Sequence, residues 1–257
     1  MSYSNNTRNL ITGNTANSNN NFGIRLLVSS HNSLTGNTAS GNDCGIDLSS
    51  SSNNTVTENT VNSNNDGVCL HSSNNNTLNG NAASNNDHGI HLYFSNNNTL
   101  SNNIVNSNNN GIYLQSSSGD NTIYHNNLIN NTNYNAHDEH TNVWDSGYSG
   151  NHYSDYIGAD NNTDGIGDTP HPIPGGVSTD RFPLMQPWAG DTPKRGDLNG
   201  DTQITFADAA IALQLAAGGF ASCDPATLAA ADVSCDNRVT SLDALLIMRL
   251  AAGAIEL

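Results

Sequence analysis

Two stretches near the C-terminus carry side-chain oxygens at a spacing that suits a hard cation. Asp197, Asn199, Asp201, Gln203, Thr205 and Asp208 occupy places one, three, five, seven, nine and twelve of a loop. Asp232, Ser234, Asp236, Arg238, Thr240 and Asp243 repeat the pattern 35 residues later. Oxygens at these places, with a backbone carbonyl at the seventh and an acid at the twelfth, are what calcium takes from a twelve-residue loop. Each loop runs into an apolar stretch, 209–218 and 244–253, and both close on Leu-Ala-Ala-Gly, so a helix is expected after each. Asp160, Asn162, Asp164 and Asp168, with the carbonyl of Ile166, suggest a third loop around Gly165. His171 stands at its twelfth place, and a turn held by local Asx hydrogen bonds without metal is the competing reading.

A second set of reactive side chains lies earlier. Asp43 and Asp87 are 44 residues apart, with His88 beside the second. If the chain stacks at strand spacing every 22 residues, the two acids stand about 9–10 Å apart, at the wide end of what an inverting glycosidase uses. Turns favour Asp for local backbone bonding alone, and Arg25 is the only basic side chain nearby, so these three are catalytic candidates and no more. Asp47, His71, His91, Tyr93 and Tyr113 form a set suited to holding a glycan. His71, His88 and His91 are also the one histidine cluster worth testing as metal ligands, because the nine histidines and three methionines show no other ligand spacing.

The element that must position this set is a repeat. Gly23, Gly45, Gly67, Gly89 and Gly111 recur every 22 residues, each opening a Gly-Ile/Val-x-Leu segment. Leu34, Val56, Leu78 and Leu100 keep the same step, as do Asn37, Asn59, Asn81 and Asn103. Three short strands and three polar turns per unit describe one coil of a parallel β-helix, and the asparagines are expected to bond coil to coil. Strand alternation points Ile/Val and Leu inward and Arg25, Asp47, Cys69, His91 and Tyr113 outward. Asn/Ser-rich tracts are commonly disordered, but here the apolar positions hold register and no proline precedes Pro170. The expected division is a β-helix over 1–140, a loop-rich extension covering its end over 141–188, a linker at 189–195, and a calcium module over 196–257.

The formal charge of −16, with 7 Lys+Arg against 23 Asp+Glu, argues against nucleic acid or an anionic membrane as partner. No stretch is long and apolar enough to span a bilayer. The opening residues lack both a basic start and an apolar run, so this sequence is expected to be part of a longer protein or a product whose leader is missing. Cys44 and Cys69 fall three residues out of step in adjacent coils, which argues against a bridge between them. Cys223 and Cys235 could pair in an oxidising compartment or remain free thiols.

The coils, together with the closing run Trp144-Asp145-Ser146-Gly147-Tyr148, Gly150–Tyr156, Asp164–Pro170 and Asp180–Leu184, resemble NosD-type right-handed β-helix proteins, also described as carbohydrate-binding and sugar-hydrolase β-helices. The closing run is similar to the tail of such domains in archaeal surface proteins. The duplicated loop-and-helix segment from residue 196 resembles a type I dockerin. That resemblance implies two calcium ions, a small all-α domain and a cohesin-domain partner. It also places the partner contacts at Phe206, Ala207, Gln214, Ser241, Leu242 and Arg249, of which Phe206 and Leu242 could instead pack the module's own core. Thr202 and Asn237 stand where the family has glycine; asparagine accepts a left-handed turn and β-branched threonine does so poorly, so Thr202 is expected to weaken the first loop, and Ser234, which replaces an acid or amide, the second. Together these resemblances imply an extracellular or cell-surface assembly protein whose β-helix presents a glycan-binding face, or alternatively a polysaccharide-active hydrolase, lyase or epimerase carried by the same module.

Overall fold

The computed structural model describes residues 6–189, 195–196, 198, 204–218, 228, 230–234, 236 and 238–254. The chain divides into two compact units, Met1–Trp188 and Ala189–Leu257. The first is a parallel β-solenoid of three sheets, whose strands pair with the equivalent strand of the next coil. Successive coils stack Leu34 on Val56, Leu78, Leu100 and Ile123 in the first sheet. The second sheet stacks Ala39, Val61, Ala83, Val105 and Leu128. All ten are fully buried, and with the Ile/Val and Leu pairs of the third sheet they fill the interior.

Polar columns hold the corners. Three asparagine ladders run from Asn9 to Asn142, from Asn14 to Asn151 and from Asn19 to Asn135. Every side-chain amide donates to the Oδ1 of the next rung at 2.8–3.2 Å. That same Oδ1 also accepts the backbone amide of the preceding rung, as Asn59 does from Asn37 at 2.9 Å. A serine column, Ser29, Ser51, Ser73, Ser95 and Ser118, does the same with hydroxyls. The expected column through Asn37, Asn59, Asn81 and Asn103 is therefore one of three, and each ladder satisfies backbone groups that the tight corners take out of the sheets.

The ladders outlast the hydrophobic repeat. Asn142 and Asn151 are the final rungs of two of them, Val143 pairs with Thr122, and His152–Tyr153 joins the second sheet. Parallel stacking thus runs beyond residue 140, because steps of 21 and 25 residues keep the asparagine contact while breaking the regular period. Trp144, Tyr153 and Ile173 then pack onto the core. In the second unit, α1 (Phe206–Ala216) and α2 (Ser241–Ala251) pack together through Ala209, Ala212, Ala244 and Ile247. Thr205 and Thr240 cap them, each in a capping box closed by the aspartate three residues on.

Candidate ligand-binding face and cation loops

The outer surface of the third sheet is built on Phe22–Leu27, Cys44–Ser49, Asp66–His71, His88–Tyr93, Asn110–Gln115 and Tyr134–Asp138. Its glycines decide which side chains meet. At each of Gly23, Gly45, Gly67 and Gly111 an added Cβ would run into the backbone carbonyl of the next coil, and at Gly89 into Val105. None of these five has a positive φ, so glycine is required there by close approach. A Cβ on Gly23, Gly67 or Gly89 would also point at the core residues Ala39, Val61 or Val105. Glycine and the following Ile/Val thus both face inward, and the strict alternation is interrupted. The residue before each glycine consequently shares the outer face with the residue two after it.

This shared face overturns one expectation. Cys44 precedes its glycine, Cys69 lies two past the next, and the two form a disulfide with a Cα–Cα distance of 6.6 Å. Three residues out of step would separate the two cysteines on an alternating strand, but the inward glycine returns both to the outer face. Cys223 and Cys235 lie outside the described residues. Asp47 also changes role. It is only 1% exposed, paired with Arg25 at 2.8 Å and accepting from Ser49 Oγ with both oxygens, so its charge serves the fold and leaves the glycan-contact set.

One coil higher, the same relation brings Asp66 to His91. The carboxylate of Asp66 reaches His88 Nδ1 at 2.8 Å through Oδ1 and His91 Nδ1 at 3.3 Å through Oδ2. Side-chain exposures are 16%, 20% and 13% for Asp66, His88 and His91. Burial alone would raise the Asp66 carboxyl, but hydrogen bonds and charge from the two histidines outweigh it and hold the group far below the usual carboxylate range. The hydrogen bond to Asp66 raises His88, against burial. His71, grouped with these histidines on sequence, instead sits 3.4 Å from Asp47; Asp66 is the third member of the cluster. Nitrogen and oxygen donors converge here with no thiolate among them, and both cysteines of this face are in the disulfide. Such a donor set suits a divalent ion.

The rings around this cluster form a continuous surface. His88 and His91 stack at 4.7 Å, Tyr113 stacks on His137 at 4.6 Å, and Tyr134 and Tyr93 flank them. His71, His91, Tyr93 and Tyr113 are all partly exposed on it. Asp43 is exposed, while Asp87 lies 3.5 Å from His88 and accepts from Asn109. Neither belongs to the converging group. An ordinary alternating strand would turn Asp66 away from His91, so the spacing of residue types does not join the two.

The cation loops are partly described. Asp197, Asn199, Asp201 and Gln203, together with Thr202 and Asn237, lie outside the described residues. Asp208 and Asp243 are fully buried and hold matching positions. Asp208 accepts from Leu198 N and Thr205, and Asp243 from Ser234 N and Thr240. Asp232 accepts from Ser234 Oγ and Asp236 N, and Asp236 from Arg238 N. Among the described residues of the second loop the donors are all oxygens, closed by a buried acid, which fits calcium. In the loop around Gly165, Asp160 accepts the amides of Asp164 and Gly165, and Asp168 accepts from Asn161. Its acids do not form a converging group of three within 4.8 Å among the described residues.

The proposed partner residues face solvent. Phe206 is 63% and Leu242 50% exposed, so neither is an interior residue of the module. Ala207, Gln214, Ser241 and Arg249 are exposed as well.

Residues 1–158 match the family described as periplasmic copper-binding protein (NosD), and residues 195–250 match the dockerin type I domain. No curated protein matches the chain. Among solved structures, the A-module of mannuronan C-5 epimerase AlgE6 from Azotobacter vinelandii is similar at 20% identity with a TM-score of 0.46. That match covers 52% of this chain and 38% of the epimerase module.

Proposed function

The chain belongs to the NosD family through residues 1–158, and from that membership together with its dockerin type I half we propose that it is an extracytoplasmic assembly protein. In this reading the solenoid displays a glycan-binding face and the dockerin half attaches it to a cohesin-domain partner. The observation that carries the attachment is the exposure of Phe206, the first residue of α1, and Leu242, the second residue of α2, where they can meet a partner. Exposed apolar side chains, the aromatic ring of Phe206 above all, are of the kind that a protein interface buries. Calcium at both loops organises the helices, because a module with so small a core depends on its metal to fold. The disulfide supports an oxidising location outside the cytoplasm.

On the solenoid, His71, His91, Tyr93 and Tyr113 supply ring faces and polar edges of the kind that bind sugars, within an open surface rather than an enclosed pocket. The test is direct. The full chain is presented to a cohesin panel with calcium and with a chelator, and the Phe206→Ala/Leu242→Ala double variant is measured beside it. Capture that needs calcium and weakens at least tenfold in the variant supports the reading; chelator-insensitive capture contradicts it. A glycan screen with Tyr93→Ala/Tyr113→Ala tests the face. Depolymerisation that is lost in Asp43→Asn/Asp87→Asn would instead favour the enzyme carried by the same module.

A further inference from the structure

We propose that Asp66, His88 and His91 form a binding site for a zinc-class divalent metal ion on the outer face of the third sheet. The inference requires neither the glycan nor the cohesin. Three donor atoms, one from each residue, lie within 4.8 Å of one another. Ligands about 2.0–2.2 Å from a tetrahedral zinc stand at comparable separations from each other, so small side-chain adjustments suffice. Three protein donors leave one coordination position for water or a ligand oxygen.

Two independent features turn this proximity into a site. The first is the hydrogen bond at the far side of His91, whose Nε2 lies 2.8 Å from Gln115 Oε1. With Gln115 accepting there, His91 holds a proton on Nε2, which leaves Nδ1, 3.3 Å from the Asp66 carboxylate, as the atom that would meet a metal. A positive centre belongs between that nitrogen and the carboxylate, either a second imidazole proton or a metal ion that takes the proton's place. Outer partners that fix the far nitrogen of a liganding imidazole are the usual support of a metal site. The second feature is the disulfide. Cys44 and Cys69 stand in the same relation to their glycines as Asp66 and His91, 25 residues apart, one coil earlier. There the backbone carries two side chains into a covalent bond, so the next rung presents its pair at bonding range by construction. His88 joins as the direct strand neighbour of Asp66, and the chain's net charge of −16 favours cations nearby. The donors are nitrogen and oxygen, which selects a divalent ion over a cuprous one.

The experiment uses the full chain, stripped with chelator, dialysed, and held in excess calcium so that the C-terminal loops are filled. Zinc chloride alone is then titrated calorimetrically, with bound zinc counted by elemental analysis. The expected result is one zinc per chain, with affinity reduced at least 30-fold in Asp66→Asn and in His91→Ala and unchanged in His71→Ala. Nitrogen-15 spectra of the wild-type histidines provide a readout that does not depend on a variant folding: zinc should shift Nδ1 of His88 and His91 and leave the Nε2 proton of His91 in place. No zinc uptake by the wild type, equal uptake by Asp66→Asn, or shifts confined to other histidines would each overturn the assignment.

Discussion

Burial pushes the carboxyl of Asp180 up to about 6, against hydrogen bonds from the Asn151 and Phe182 amides and the Tyr153 hydroxyl. The unfolded chain releases this proton near 3.8. The stabilisation from holding it is therefore complete below about pH 4 and lost as pH rises through 6, a difference on the order of 2–3 kcal/mol. Half-buried His171 is depressed by its partial burial and opposes this trend in part, so the measurement is the difference between wild type and Asp180→Asn. The stability advantage of wild type over the variant should shrink by about 2 kcal/mol between pH 4 and pH 7, read from urea midpoints. Val28 offers the opposite kind of test. It is a β-branched residue held at φ 49° and 45% exposed, at a corner where Ser50, Ser72 and Ser116 serve in later coils. Val28→Asn should raise stability by about 1 kcal/mol, because asparagine tolerates the left-handed region and valine does not. Legibility at this scale was uneven. The inward Ile, Val and Leu positions and the Asn37 column followed from a period of 22. The Asp66–His91 contact and the disulfide did not, because they depend on glycine breaking the alternation, and no pattern of residue types reveals where a strand changes parity.

Elements in this solenoid are short, so each is stable only against its neighbours. Removing one rung tests that dependence. Asn59→Ala would leave the amide and side chain of Asn37 and the carbonyl of Leu34 without their partners in a dry corner. A loss of about 3 kcal/mol is expected by denaturant unfolding, against under 1 kcal/mol for an exposed asparagine with ordinary backbone angles such as Asn65. Gly67→Ala should cost at least as much, since its methyl would meet the carbonyl of Gly89 in the adjacent coil and the relief is a separation of two hydrogen-bonded strands. Removing the disulfide as Cys44→Ser/Cys69→Ser should lower stability by about 3 kcal/mol in oxidising buffer and have no such effect under reductant. The helices were legible element by element, because the loop oxygens, the apolar run and the closing glycine all recur at 35 residues; the capping role of Thr205 and Thr240 was not, since the same two residues read as loop oxygens. The last solenoid turn was not, since its strands are two residues long or single bridges and its rungs leave the regular step.

For the whole molecule, two units with different stabilising chemistry should unfold separately. A chelator is expected to lower the melting transition of the Ala189–Leu257 unit by more than 10 °C and leave that of the solenoid within about 1 °C, by calorimetry in the presence and absence of calcium. A single transition moving as one would contradict that independence. The asparagine ladders add a property that belongs to the solenoid as a unit. Every side-chain amide donates in the same sense, and each column ends on a carboxylate: Asn142 on Asp138, Asn151 on Asp180, Asn135 on Asp155. The columns are thus polar filaments with a head and a tail, and a coil grafted onto the tail end would have to bring its own terminal acid. Lengthening the protein by duplicating an interior repeat should be tolerated, whereas circularly moving a coil from front to back should leave amide protons aimed at nothing.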